Sequence, residues 1–149
     1  MCGIFGQFDP RGIRKAEDLS GRLFAALKHR GPNDQGAVFF DSQGDFADGD
    51  RAPVLLLGQT RLSIIDLSSA GHQPMFSEDG RFCLVYNGEI YNFRELRLEL
   101  LKCGCHFYSN TDTEVLLYWL AEFGLKMQTL NIGLSSSCNP FSACNLESP

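Results

Sequence analysis

Short apolar runs separated by turn residues constrain this chain more than any other feature. Residues 4–8, 37–40, 54–58 and 82–86 are apolar stretches of four or five residues, each bounded by Gly, Pro, Asn or Asp. That is the length and punctuation of β-strands. Between them lie three stretches with a helical period, over about 17–28, about 93–103 and 112 to about 123. In the first, Leu19, Leu23, Ala26 and Leu27 share one face, and Arg22 and Lys28 lie on the other. Asp112 is the expected N-cap of the third, with Thr113 and Glu114 in its first turn and Gly124 as its stop. Residues 61–66 follow the third strand, and 41–53 and 68–80 read as solvated loops. Strands outnumber helices and the two alternate. The expected class is α+β, with antiparallel sheets rather than a doubly wound parallel one.

A length of 149 residues suits one domain. A chain of that size buries about 68–70% of its unfolded surface, enough for a core of its own. With 44% hydrophobic and 21% charged residues, the composition excludes wholesale disorder, collagen and coiled coil. A net charge of −5 lacks the basic footprint of a nucleic-acid binder, so no nucleic-acid partner is expected. No apolar run approaches the ~20 residues of a membrane span, so no membrane partner is expected either. Asp9, Arg11 and Arg14 interrupt the place where a secretory signal would have its apolar segment. The expected location is cytoplasmic, where thiols stay reduced. The six cysteines therefore read as free thiols, with Cys83, Cys103, Cys138 and Cys144 as small apolar fillers or surface groups. Cys103, Cys105 and His106 cluster, but no second ligand pair follows at finger-like spacing, and no metal is expected. After Lys126 the composition changes. Residues 127–149 hold a single charged side chain, Glu147, among several serines. The chain divides into 1–126, a folded part, and 127–149, a divergent tail expected to be irregular.

Cys2 is the most informative residue for chemistry. Removal of Met1, which the small residues Cys2 and Gly3 permit, leaves a cysteine with a free α-amino group. That amine has a pKa near ~7.7–8.0 and serves as a general base at neutral pH. A thiol needs such a base to become a competent nucleophile. An N-terminal cysteine thus supplies nucleophile and base within one residue.

The chain resembles the class II glutamine amidotransferases of the asparagine synthetase branch, on five motifs in the family's order. They are Met1-Cys2-Gly3-Ile4-Phe5-Gly6; His29-Arg30-Gly31-Pro32-Asn33-Asp34; Arg61-Leu62-Ser63-Ile64-Ile65-Asp66-Leu67 with Ala70-Gly71-His72-Gln73-Pro74-Met75; Asn87-Gly88-Glu89-Ile90-Tyr91-Asn92; and Ser109-Asn110-Thr111-Asp112-Thr113-Glu114. The resemblance covers residues 1 to about 126. It implies an α-β-β-α sandwich of two antiparallel sheets, the N-terminal nucleophile fold, here C-terminally incomplete. It also implies hydrolysis of L-glutamine to glutamate and ammonia through a thioester on Cys2.

In the roles the resemblance carries over, Cys2 is the nucleophile, and the Asn87 side chain and Gly88 N–H form the oxyanion hole. Arg61 binds the α-carboxylate of glutamine, Asp112 its α-ammonium, and Glu89 lies beside it. The backbone of Leu62, Ser63, Ile64 and Ile65 lines the pocket. His29 and Arg30 pack beneath the nucleophile, and His72 lies in a loop that faces substrate. Without the resemblance, Asn87-Gly88 is equally a type I′ hairpin turn, Arg61 a surface arginine and Asp112 a helix cap. The partner implied is a synthetase domain or a full-length relative. ATP and magnesium belong to that absent domain, so no cofactor is implied for this chain. Two other functions stay open: an inactive fragment that is unfolded or modulates full-length relatives, and an amidotransferase with a different acceptor.

Overall fold

The computed structural model describes residues 2–47, 51–63 and 68–124, together with the backbone of 132–133 and 142–145. The elements run β1 (Gly3–Phe8), α1 (Ala16–Leu27), β2 (Asp34–Phe40), β3 (Leu55–Arg61), a 3-10 turn (Ser69–Gly71), β4 (Met75–Phe76), β5 (Phe82–Val85), β6 (Glu89–Ile90), α2 (Phe93–Lys102), α3 (Asp112–Phe123), β7 (Ile132–Gly133) and β8 (Ser142–Asn145). The class is α+β, and every strand pair is antiparallel. One sheet has the order β1-β3-β2, a second β4-β5-β8, and β6 and β7 form a two-stranded ribbon. Two short strands therefore lie within 127–149, the stretch expected to be irregular.

Period-two alternation sends neighbouring residues of each strand to different sides. Along β2 and β3, Val38, Phe40 and Leu57 join one apolar cluster with Cys83 and Val85 of β5. Ala37, Phe39 and Leu56 join another with Ile13, Ala16, Leu19 and Leu23 around α1. The intervening residues of β5 do the same in turn. Leu84, followed by Tyr86, packs with Leu96 and Leu100 of α2 and with Val115, Leu116 and Leu120 of α3. Leu56, Leu84, Leu100 and Leu116 are each 0% exposed, and such burial contributes roughly 1.5–3 kcal/mol per side chain. Residues 112–120 of α3 are all buried, so that helix is apolar on more than one face.

Two expectations need correction. The strand expected over 54–58, with a break before Arg61, runs unbroken to Arg61. Gln59, Thr60 and Arg61 stay buried in the central strand with a side-chain donor of each paired: Gln59 Nε2 donates to the Tyr86 carbonyl at 2.7 Å, Thr60 Oγ1 to the Leu27 carbonyl at 3.2 Å and Arg61 Nη1 to the Ser68 carbonyl at 3.0 Å. The N-cap of α3 is Thr111, not Asp112. Thr111 Oγ1 accepts from the Glu114 N–H, one half of a capping box, and Asp112 becomes the first helical residue. The helix stops at Gly124, at φ 64°, as expected.

No helix among the described residues is long and apolar enough to cross a membrane.

Candidate functional site

The site is built around the C-terminal end of β3. Gly3 pairs with Thr60 and Ile4 with Gln59. Extending that register by one residue puts Cys2 beside Arg61. Directly opposed residues share a sheet face. Ile4 and Gln59 thus lie on the face that carries Leu57, and alternation returns Cys2 and Arg61 to that same face. The Cys2 thiol is half-buried. Its Sγ accepts from the Leu62 N–H at 3.3 Å and lies 3.7 Å from the Leu62 carbonyl.

Residues 30–33 hold this arrangement from below. Arg30 Nε donates to the Cys2 carbonyl at 3.2 Å. The Asn33 N–H donates to the Arg61 carbonyl, and Asn33 Oδ1 accepts from the Ser63 N–H, both at 3.1 Å. The loop presses so closely on β3 that a Cβ on Gly31 would lie 2.3 Å from the Thr60 carbonyl carbon and oxygen. Only glycine allows that approach. His29, expected beneath the nucleophile with Arg30, is exposed instead.

Arg61 is 7% exposed, which overturns its reading as a surface arginine. Its Nη1 donates to the Ser68 carbonyl at 3.0 Å. Gly71 lies against the guanidinium on one side and Thr111 on the other. The basic group thereby sits close to the residue that precedes Asp112. His72 Nδ1 and Asp34 Oδ2 are 2.8 Å apart, and Asp34 pairs with Arg61 across the ladder.

Asp112 is buried at the start of α3, and its Oδ2 accepts from the Ile90 N–H at 3.1 Å. The carboxylate reaches the Ile90 N–H of β6 as well as the first backbone N–H groups of its own helix. Burial pushes its pKa up, and the nearby Glu89 charge adds to this. Backbone hydrogen bonds from Ile90, Thr113 and Asp112 itself oppose the rise. Tyr86 is 2% exposed. Burial, then the negative charges of Asp112 and Glu89, push its pKa up and keep it a neutral phenol. Its hydroxyl has no hydrogen-bond partner among the described residues and lies against Gly88.

Asn87 is half-buried, and Gly88 and Glu89 are exposed. The hairpin-turn reading of Asn87-Gly88 fails. The flanking β5 and β6 belong to different sheets, and Gly88 is not among the glycines with positive φ that such a turn requires. The structure thus joins Cys2 directly to Leu62, the residue after Arg61, and Asp112 directly to Ile90, with the Glu89 charge near enough to act on Asp112. Ser63 joins the first group through Asn33. Ile64 and Ile65 lie outside the described residues.

Two residues that sequence reasoning left without a role join these groups. Gln59 reaches the Tyr86 carbonyl, and Gln73 Oε1 accepts from the Tyr86 N–H at 2.7 Å. Gln59 shares a sheet face with Leu55 and Leu57, and an amide at the end of such a series was the signal available for it. No group of three His, Cys, Asp or Glu among the described residues could hold a metal ion. A cavity of about 560 Å³ opens elsewhere, beside the start of α1. Gln7, Asp9, Arg11, Arg14 and Arg22 line it, and none of the site residues does.

A family model described as a glutamine amidotransferase domain matches residues 1–135. Among similar proteins, asparagine synthetase [glutamine-hydrolyzing] 1 of Bacillus subtilis is 38% identical over 120 residues, covering 78% of this chain and 17% of the relative. A putative asparagine synthetase [glutamine-hydrolyzing] 2 of Methanocaldococcus jannaschii is 37% identical over 133 residues, covering 78% and 23%. Asparagine synthetase [glutamine-hydrolyzing] 1 of Arabidopsis thaliana is 34% identical over 139 residues, covering 91% and 21%. The chain spans about a fifth of the length of these curated relatives.

Proposed function

Because the chain belongs to the glutamine amidotransferase domain family, we propose that it hydrolyses the side-chain amide of L-glutamine, with Cys2 as nucleophile. The observation that carries this reading is the Cys2 thiol lying 3.3 Å from the Leu62 N–H, one residue beyond the Gly3–Thr60 pair that ends the ladder. Removal of Met1 frees the α-amine of Cys2. That amine takes the thiol proton as sulfur attacks the amide carbon. The tetrahedral oxyanion is held by the Asn87 side-chain amide and the Gly88 N–H. Loss of one such donor typically costs ~2.7–4 kcal/mol. Collapse expels ammonia, which carries away the proton from the amine. Water then cleaves the thioester to glutamate and restores the thiol.

Selectivity for glutamine follows from its charged end. Arg61 pairs with the α-carboxylate in a planar, bidentate contact. Asp112 and Glu89 face the α-ammonium. The backbone of Leu62, Ser63, Ile64 and Ile65 lines the amide-binding slot. Both charges of the ligand need partners because a desolvated unpaired charge is costly.

The proposed architecture is the four-layer α-β-β-α sandwich. Three apolar clusters support it: one under α1, one shared by the β1-β3-β2 sheet and β5, and one between β5 and the pair α2 and α3. Ammonia would pass to an acceptor handled by a synthetase part, in the same polypeptide or in a full-length partner. ATP and magnesium would act there, and this chain would use no cofactor. The setting would be cytoplasmic biosynthesis of asparagine.

The deciding assay is glutamate release from L-glutamine by the purified chain, beside Cys2→Ala, with intact mass reporting Met1 removal. Release that disappears in Cys2→Ala is the expected result. A Met1-processed, folded chain that releases none would overturn the reading. That outcome would favour a non-catalytic chain that modulates full-length relatives.

A further inference from the structure

Tyr86, the residue immediately before Asn87, is gripped at both of its backbone groups by buried glutamine side chains. Gln59 Nε2 donates to its carbonyl at 2.7 Å, and Gln73 Oε1 accepts from its N–H at 2.7 Å. The other end of the Gln73 amide donates to Thr113 Oγ1 at 3.2 Å. Gln59 is 1% exposed and Gln73 6% exposed. The two amides come from different places. Gln59 is on β3, two residues before Arg61 and opposite Ile4 of the strand that follows Cys2. Gln73 precedes β4 and reaches α3 beside Asp112.

Buried amides are costly where apolar side chains would fit, and the same face of β3 carries leucine at 55 and 57. Strand β5 ends at Val85. The peptide groups of Tyr86 lie beyond its ladder and must be satisfied some other way. A third strand would satisfy them equally well. Two glutamines from separate elements do something a strand cannot. One fixes the 86–88 segment relative to the β-sheet that carries Cys2. The other fixes it relative to the helix that carries Asp112. Gln59 Oε1 has no hydrogen-bond partner among the described residues, and the amide's contact there is made through its N–H.

We infer that Gln59 and Gln73 are positioning residues for glutamine hydrolysis, setting the Asn87-Gly88 turn at its working distance from Cys2 and from Asp112. The inference rests on the proposed function and adds to it the device that aligns the two halves of the site. Gln59 acts on the attacking step and so on kcat. Gln73 acts on both halves and so on kcat and KM together. A displacement of about 1 Å at such a turn lowers rates by about 10²-fold.

The test compares the wild-type chain with Gln59→Met, Gln59→His and Gln73→Met in glutamine hydrolysis, with thermal midpoints and the rate of Cys2 alkylation by iodoacetamide as independent readouts. Gln59→Met keeps the volume and removes the donor. It is expected to lower kcat roughly 10- to 100-fold with KM within about threefold and Cys2 alkylation unchanged. Gln59→His returns an N–H at similar reach and is expected to recover most of that loss. Gln73→Met is expected to lower kcat and raise KM. An active wild type with unchanged kcat in both methionine variants overturns the inference and leaves the proposed function standing. A fall in kcat that Gln59→His does not relieve, in a variant that also melts early, assigns Gln59 to packing alone and overturns it too. An inactive wild type overturns the function and this inference together.

Discussion

Gly71 lies so close to Arg61 that a Cβ built on it would sit 2.1 Å from Nη2 of the guanidinium. The glycine leaves the arginine room for its position. Gly71→Ala is expected to push the guanidinium off the Ser68 carbonyl, 3.0 Å away in the native chain. A misplaced charged hydrogen bond is worth about 1.5–3 kcal/mol. KM for glutamine should therefore rise roughly 10- to 100-fold, with kcat changed by less than about threefold. Steady-state kinetics decide it. The lost contact is internal to the fold, so the thermal midpoint should fall as well, by several degrees.

Cys2→Ser tests the nucleophile with minimal change in shape. The hydroxyl still accepts from the Leu62 N–H, the contact that the thiol makes at 3.3 Å. The fold should be retained, and glutamate release should fall by at least about 10³-fold, because a hydroxyl is a far weaker nucleophile than a thiol at neutral pH. Matching circular dichroism spectra with residual activity near the wild-type level would remove Cys2 from the reaction.

Burial of Asp112 ties stability to pH with a definite sign. Burial raises its pKa in the folded chain above the ordinary 3.8. The folded state then binds the proton more tightly than the unfolded one. The stability this contributes is fully present below the unfolded value and is lost as pH rises through the folded value. Asp112→Asn is therefore expected to melt at the same or a higher temperature than wild type at pH 7, with the difference shrinking toward pH 4. The same variant should raise KM for glutamine at least tenfold. Thermal midpoints over a pH series and KM at pH 7 read the two effects separately. A lower melting temperature at pH 7 would contradict the assignment.

Glu114 anchors the loop that leads into α3. Its carboxylate accepts from the Tyr108 and Ser109 N–H groups, both at 2.8 Å, and from Ser109 Oγ at 2.7 Å. Glu114→Ala leaves the buried Ser109 donors unsatisfied and should cost on the order of 2 kcal/mol or more. Thr111→Ala removes the cap and the 2.8 Å contact of Thr111 Oγ1 with Ser109 Oγ, and should cost about 1 kcal/mol. Urea denaturation midpoints give the order, which should be wild type, then Thr111→Ala, then Glu114→Ala.

The strands and helices were legible because alternation and periodicity are local. The apolar run 82–86 reads directly as β5, and Gly124 as the stop of α3. What escaped depends on distant partners. The continuation of β3 through Gln59, Thr60 and Arg61 is invisible locally, since polar residues normally end a buried strand. Its partners lie 27 and 33 residues away. The sequence Thr111-Asp112 offers two cap-forming residues in a row. The choice of Thr111 was readable from Glu114 three residues on, the capping-box spacing. At the site, motif order named Cys2, Arg61 and Asp112. The glutamines that tie the site together carry no such signature, because an amide bridging two elements has no sequence spacing of its own.

The register that pairs Gly3 with Thr60 also keeps time. The two residues are nearly sixty apart, and a ribosome adds about 5–20 residues per second. For roughly 3 to 11 seconds of synthesis, β1 has no strand to join. Its first residues have no ladder partner in that time. Once β3 emerges, the ladder closes and Arg30 clasps the Cys2 carbonyl. The proposed trimming of Met1, which would free the Cys2 amine, would fall in that interval, set by how late the central strand is made.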